Sequence, residues 1–329
     1  MNYAQLNELP PSPPGKTGWP WTEKYAHLPP KMPNGKPWAK ISIVTPSYNQ
    51  GQFIEETIRS VLLQGYPNLE YIIIDGGSTD NSVEIIKKYE PWLAYWISEK
   101  DCGQSHAINK GFKRATGGIM AWLNTDDIYA KNTLTKIATK FDISRPQILC
   151  GGIGFYDSDS RILPQTMFGA TTYQEILKMP RFTLPQPGVF WTKILWELVG
   201  PLDESLYFSM DYELWLRIFL KLHERDIITL EDALAYARRH ELQKTHTSNL
   251  RKISLELNIV RFRHVTSLGK SPLIFLFKCY FDRALRYSHE SKGFVRRFIL
   301  NWLPRKQDIN LLVDYIHFLK SLKNAGCTS

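Results

Sequence analysis

Adjacent carboxylates, Asp126 and Asp127, stand just past the apolar run 119–123 in the stretch GGIMAWLNTDDIYA. Neighbouring acids repel unless a cation or hydrogen-bond donors share their charge, and oxygen ligands suit Mg²⁺ or Mn²⁺. The same pair is also good turn and helix-capping chemistry, so alone it leaves both readings open. A third acid, Asp75, closes another apolar run and opens the glycine-rich DGGSTD. Tyr48 follows Pro46 in the loop TPSYNQG. A flat aromatic can stack on a nucleobase, and an aspartate can accept hydrogen bonds from a base edge or a ribose. Asp211 falls in the first turn of SMDYELWLRIFL. There it is either a general base or a carboxylate answering the helix dipole. His240 ends the run RRH and is either a metal ligand or an ordinary surface or core histidine.

The elements that must position these groups are legible in the periodicity. Residues 41–44, 71–74, 95–97 and 119–123 are short apolar runs of strand length. Between them, residues 53–63, 82–89 and 104–115 repeat apolar side chains at helical spacing. Strand–helix alternation with short loops predicts a parallel sheet with right-handed crossovers and helices on both faces. Each strand then delivers its loop to one edge, so residues 45–51, 75–80 and 124–127 converge on one crevice. A metal held there by Asp127 could bridge the diphosphate of a nucleotide sugar and neutralise charge as the nucleoside diphosphate leaves. Beyond residue 140 the pattern changes. Strands are expected at 148–154, 161–163 and 233–237, the first two around a turn at 157–160. Residues 185–191 read as extended, and helices are expected at 193–199, from Met210, and onward from Leu250.

At 329 residues the chain is long enough for one large domain or a domain with an appendage. Residues 1–40 hold nine prolines together with Trp19, Trp21 and Trp38, which describes an extended arm lying against a folded body. Gly15-Lys16-Thr17 has the end of a phosphate loop but neither its upstream glycine nor its strand. No signal pattern and no run of 18 apolar residues occurs, so no spanning helix is expected. The four cysteines lack metal-ligand spacing and read as reduced, cytosolic thiols. Of the net charge of +9, residues 251–329 carry 15 Lys+Arg against 5 Asp+Glu, whereas residues 1–250 are nearly balanced at 26 against 27. Basic residues such as Arg283, Arg286, Arg296 and Arg297 alternate there with aromatics. That places a peripheral contact with an anionic membrane ahead of a solvated face or a nucleic-acid partner. The expected organisation is a proline-rich arm (1–40), a catalytic α/β domain (41–248) and a basic, mainly helical region (249–329).

In order and spacing, VTPSYNQG, IIDGGSTD, GQSHAINKGF, AWLNTDD, QPGVFW and SMDYELWLR resemble the family-2 glycosyltransferases of GT-A fold over roughly residues 41–245. Among these the chain is most similar to bacterial enzymes of O-antigen, capsule and other surface polysaccharides. The resemblance implies a nucleotide-sugar donor, a sugar or lipid-linked sugar acceptor, and Mn²⁺ or Mg²⁺. Tyr48, after Pro46, would stack on the donor's base, Asp75 would read that base, Asp126 would meet the ribose and Asp127 would hold the metal. Asp211 would be the general base of an inverting displacement. Met210 stands where the family's usual first acid would be, which leaves acceptor positioning open. His240 is a candidate further metal ligand, Gln186 a candidate acceptor contact, and His106 a candidate donor contact. Such an enzyme would work in the cytoplasm at the inner face of the membrane.

Three other classes fit less of the sequence. A nucleotidyltransferase needs a basic glycine-rich loop after the first strand, and TPSYNQG has no basic residue. A processive membrane synthase needs spanning helices and a Gln-x-x-Arg-Trp motif. An inactive scaffold would have no use for Asp127 and Asp211. A nucleic-acid binder would explain the basic tail but not the crevice motifs.

Overall fold

The computed structural model describes residues 4–23, 28–156, 162–167, 169, 172–178, 184–241 and 243–269. The expected turn at 157–160 and residues 270–329 of the basic tail lie outside them. The described elements run β1 (Ile41–Ser47), α1 (Ile54–Leu62), β2 (Leu69–Asp75), α2 (Ser82–Tyr89), β3 (Tyr95–Ser98), α3 (Gln104–Arg114), β4 (Ile119–Trp122), β5 (Ile128–Tyr129) and α4 (Thr133–Ala138). They continue through β6 (Ile148–Tyr156), β7 (Ile162–Met167), α5 (Tyr173–Lys178), β8 (Val189–Thr192), α6 (Lys193–Val199), α7 (Met210–Lys221), β9 (Ile227–Arg238) and α8 (Leu250–Ser267). Two compact units divide them, residues 1–243 and 244–329. Among the described residues no helix is long and apolar enough to cross a membrane.

All the described strands join one sheet in the order β3-β2-β1-β4-β8-β6-β9-β5, with β7 beside β6. Strands β3, β2, β1 and β4 are parallel, as the alternation predicts. Past β4 the sheet is mixed: β8 runs antiparallel to both β4 and β6, whereas β6 and β9 are parallel. The expectation of a parallel sheet therefore holds for the nucleotide-type half only. Connections in the second half are not simple strand–helix–strand units, so the rule that enforces parallel pairing does not apply there.

Parallel strands covered on both faces must be apolar on both, and β1 is buried along its whole length. On one face Ile54, Ile58 and Val61 of α1 and Ile85 and Ile86 of α2 pack in the core that also holds Ile43, Tyr71 and Ile73. Helix α3 approaches the other face so closely that a Cβ on Gly111 would sit 2.4 Å from Val44 Cγ1, which only glycine permits. An aromatic cluster extends this second core. Trp122 of β4 stacks on Trp215 of α7 at 5.9 Å, and Phe112 of α3 meets Trp191 at 5.6 Å and Trp196 at 4.6 Å. Each such pair adds roughly 0.5–1.5 kcal/mol beyond its buried area.

The proline-rich arm packs on the body, and Arg59 of α1 holds it there. Arg59 is 1% exposed, and its guanidinium donates to the carbonyls of Pro10 (2.8 Å), Pro20 (3.2 Å) and Trp21 (3.0 Å) while lying over the Trp21 ring. Trp19 Nε1 donates to Tyr129 O at 2.8 Å. Cys150 is a buried free thiol, whereas Cys102 is disulfide-bonded, which corrects the reading of all four cysteines as reduced.

Replacing Arg59 with Met leaves three inward-facing carbonyls without their donor. We expect a loss of about 3 kcal/mol in chemical denaturation, at the upper end for a broken charged hydrogen-bond set, and faster proteolysis within residues 1–40. An unchanged midpoint and cleavage pattern would show that the arm is held by other contacts.

Candidate active site

The three polar loops meet at the carboxyl ends of β1, β2 and β4. The first two are laced together: Asn49 N donates to Ser78 Oγ (2.8 Å), Gly51 N to Asp80 Oδ2 (2.9 Å) and Thr79 N to Asn49 Oδ1 (2.8 Å). Asn49 adopts a left-handed φ of 51°, and the loop presents Tyr48 at 61% exposure, while Pro46 before it is buried. An aromatic this exposed at a rigid loop tip is open for stacking.

Asp75 ends β2 fully buried. Its Oδ2 accepts from Gly77 N (3.1 Å), Ser78 N (2.9 Å) and Ser98 Oγ (2.7 Å), and its Oδ1 from Ser78 Oγ (2.5 Å). These four bonds organise the glycine-rich loop, whose Gly77 needs a φ of +80°. Acceptor capacity remains on Oδ1 alone.

Asp126 and Asp127 lie in the turn after β4, and the turn is gripped from every side. Thr57 Oγ1 of α1 lies 2.8 Å from Thr125 O and 2.7 Å from Asp127 O, sharing one proton between them. Thr125 Oγ1 donates to Pro46 O at 3.4 Å. Tyr156 Oη of β6 donates to Asp126 O at 2.8 Å. The Asp127 carboxylate, 6% exposed, accepts from Arg238 N at 3.3 Å and from Asn124 Nδ2 at 3.4 Å. Burial, reinforced by the charge of Asp126, pushes its pKa well above the usual carboxylate range.

His240, just past β9, comes to this turn. Its Nε2 lies 3.1 Å from Asp126 Oδ2, its ring packs against Phe53 at 4.8 Å, and its buried Nδ1 has no hydrogen-bond partner among the described residues. Among the described residues no three His, Cys, Asp or Glu side chains gather into a group that could hold a metal ion by themselves. Asp126 and Asp127 instead share one turn, and His240 meets Asp126 from the side. A buried acid crowded by a second acid fits a divalent cation that completes its shell from phosphate oxygens.

Asp211 opens α7, its Oδ1 accepting from Tyr212 N at 2.7 Å. Two consecutive residues of α3 link that helix start to the paired acids. Gln104 Nε2 donates to Asn124 Oδ1 at 2.7 Å, and Ser105 Oγ lies 2.7 Å from Met210 Sδ. Met210 is buried. Two candidates take other work. Gln186 turns inward, its Nε2 donating to Trp122 O (2.7 Å) and its Oε1 accepting from Asn124 (3.1 Å), so it braces the acidic turn. His106 Nδ1 accepts from Cys102 N at 3.1 Å and shapes its own loop.

Sequence reasoning missed Arg238. Its guanidinium lies between Phe53 (4.7 Å) and Tyr156 (4.1 Å) and pairs with buried Glu56 at 2.6 Å. An arginine beside a second arginine reads as surface charge, and only an acid at an interior-facing helix position, Glu56, hinted otherwise.

Residues 42–193 match the family model described as "Glycosyl transferase family 2". That stretch, a little under half of the chain, is similar to glycosyltransferase family 2. An uncharacterized glycosyltransferase of Rickettsia typhi is 30% identical over 217 residues, covering 63% of this chain and 66% of that protein. The putative teichuronic acid biosynthesis glycosyltransferase TuaG of Bacillus subtilis is 40% identical over 108 residues, 32% of this chain and 42% of its own length. The chain thus spans just under two thirds of the first relative and less than half of the second. Among solved structures, Staphylococcus aureus TarS in complex with UDP superposes with a TM-score of 0.51 at 22% identity, covering 67% of this chain and 65% of that one. The Pyrobaculum calidifontis mannosyltransferase PcManGT, in complex with GDP-Man and Mn²⁺, gives 0.54 at 15% identity over 94% and 92%. At these identities the likeness is one of fold, the GT-A arrangement.

The raised pKa of Asp127 makes a signed prediction for the metal-free protein. A carboxylate with a folded pKa above its unfolded value near 3.9 contributes stability at low pH that is lost as pH climbs from there through the raised value. In chelator, Asp127→Asn should melt above wild type at pH 8, and the gap should close towards about pH 3, where the wild-type acid is largely neutral in both states. A variant that melts below wild type at both values would mean that the charge is already compensated.

Proposed function

We propose that this protein transfers a sugar from a nucleotide-sugar donor to a hydroxyl of a sugar or lipid-linked sugar acceptor, with inversion, in the assembly of a bacterial surface polysaccharide. The observation that carries this reading is the convergence of exposed Tyr48, Asp75 and the Asp126–Asp127 turn on one sheet edge, linked through Gln104 and Ser105 to the start of α7 at Asp211. Relatives named for teichuronic acid and poly(ribitol-phosphate) glycosylation support the polysaccharide setting.

In this reading Tyr48 stacks on the base and Asp75 accepts from it through its remaining Oδ1 capacity. Asp126 meets the ribose, and Asp127, with His240 as a further ligand, would hold Mn²⁺ or Mg²⁺. When bound, the cation supplies Lewis-acid stabilisation of the departing diphosphate. Asp211 accepts the proton of the acceptor hydroxyl. That oxygen forms its bond to the anomeric carbon as the bond to the diphosphate oxygen breaks, and one displacement inverts the centre. Glu213, the other acid in this first turn, is paired with Arg217, so the base role falls to Asp211 in this reading.

Asp127→Ala should abolish divalent-dependent donor turnover in a folded protein. Asp211→Asn should retain nucleoside diphosphate binding by calorimetry yet lose about 10²–10⁴-fold in transfer, the usual contribution of a positioned acid–base group. Binding that collapses together with transfer in Asp211→Asn would make Asp211 structural and overturn the mechanism.

We also propose that the basic region contacts the membrane that carries a lipid-linked acceptor. Each Lys or Arg near an anionic bilayer contributes about 1 kcal/mol, weakened by salt. The protein should pellet with anionic vesicles at low salt, less with neutral ones, and release at high salt. Replacing Arg283, Arg286, Arg296 and Arg297 with Gln should reduce that binding. A folded quadruple variant that binds as wild type does would exclude this surface.

A further inference from the structure

We infer that Arg238 is a positioning residue for the carboxylates of the donor site, acting from behind them through Glu56, Tyr156 and its own backbone. This rests on the reading of Asp127 as the group that holds a divalent cation. Four observations carry it. The Arg238 backbone N–H donates to Asp127 Oδ1 at 3.3 Å, fixing the rotation of that carboxylate. The Arg238 side chain is 4% exposed and anchored by Nη2 on Glu56 Oε2 at 2.6 Å, so the end of β9 is tied to α1. The guanidinium packs on Tyr156, whose hydroxyl donates to the Asp126 carbonyl at 2.8 Å, so the plane that holds the arginine also holds the acidic turn. Phe53 covers both the guanidinium and the His240 ring, at 4.7 and 4.8 Å, which sets the imidazole two residues further along the same chain.

The three candidate ligands thus share one support. Asp127 is held by the arginine's backbone, Asp126 by the tyrosine under its guanidinium, and His240 by the phenylalanine above it. A plain structural ion pair would bridge α1 and β9 without touching the acidic turn. Partners behind a metal's own ligands typically govern 10–100-fold in metal affinity, because they set the orientation in which the ligands meet the ion. Lysine keeps the charge but lacks the planar fork and the stacking face, so it cannot replace arginine here.

The test uses the full chain with Mn²⁺ followed by electron paramagnetic resonance, in the presence of whichever of UDP, GDP, ADP, CDP and dTDP gives the largest thermal shift. Wild type should bind Mn²⁺ and Asp127→Ala should not. Arg238→Lys should bind Mn²⁺ about 10–100-fold more weakly at a temperature where it is fully folded. Tyr156→Phe, which removes one hydroxyl and keeps the ring, should weaken binding in the same direction by a smaller factor, and it decides the matter if Arg238→Lys fails to fold. Earlier melting with unchanged Mn²⁺ affinity in the folded variants would overturn the positioning role and leave the functional reading standing. A wild-type chain that binds no Mn²⁺ with any of the nucleotides would overturn both.

Discussion

Asp127 keeps its carboxylate 6% exposed beside a second carboxylate, and the protein around it is arranged to tolerate that charge. Taking an ionised acid out of water is costly unless donors or cations replace the lost hydration. Here the replacement is incomplete. Two donors reach Asp127 at 3.3 and 3.4 Å, both longer than ordinary charge-assisted bonds. The nearest fixed cation, Arg238, is already committed to Glu56 at 2.6 Å. Burial and the neighbouring carboxylate therefore hold its pKa above the usual carboxylate range, and under the proposed function a divalent cation with an attached diphosphate would favour the ionised form. The strain is local, and the backbone of the turn is over-determined by Thr57, Tyr156 and Thr125 so that it does not relax.

That over-determination explains the architecture of the first half. Parallel strands fix three loop starts at one edge, but they do not fix the loops. Hydrogen bonds between loops do so: Asn49 with Ser78 and Thr79, Gly51 with Asp80, Thr125 with Pro46. Helix α1 supplies the rest. One turn of it offers Phe53, Glu56 and Thr57 to the site, and the next offers Arg59 to the arm on the outside. The arm is thus the outer layer of the same helix that supports the acidic turn, which gives a proline-rich segment without regular structure a reason to be packed down.

The first half of the fold was legible because its signals are local. Apolar runs of strand length alternate with helical periodicity, and each run ends in glycine or aspartate. Strands β1 to β4 follow from that, as does the convergence of Tyr48, Asp75 and Asp126–Asp127. The second half was less legible. Strand β5 is two residues long and is created by its pairing with β9, and β9 itself runs from Ile227, well before the apolar core at 233–237 that marks it in the sequence. Arg238 was invisible for a related reason. Burial of an arginine depends on an acid 182 residues away, and no spacing rule connects Glu56 with it. The inward turn of Gln186 was hidden in the same way, since its amide donates to Trp122 O, 64 residues away.

Met210 carries the argument one step further. A glutamate at this position would bring a second charge to the start of α7, where backbone N–H groups and the helix dipole already favour Asp211. The thioether instead lies buried against Ser105, and Ser105 belongs to the same turn of α3 as Gln104, which holds Asn124 beside the paired acids. Position 210 has therefore become a packing contact that sets the distance between the start of α7 and the acidic turn. Under the proposed mechanism the proton of the acceptor hydroxyl goes to Asp211, and orientation of the acceptor must come from groups other than residue 210. Restoring an acid at 210 would put an uncompensated carboxylate against Ser105 and loosen the contact that now fixes Asp211 relative to the donor loops.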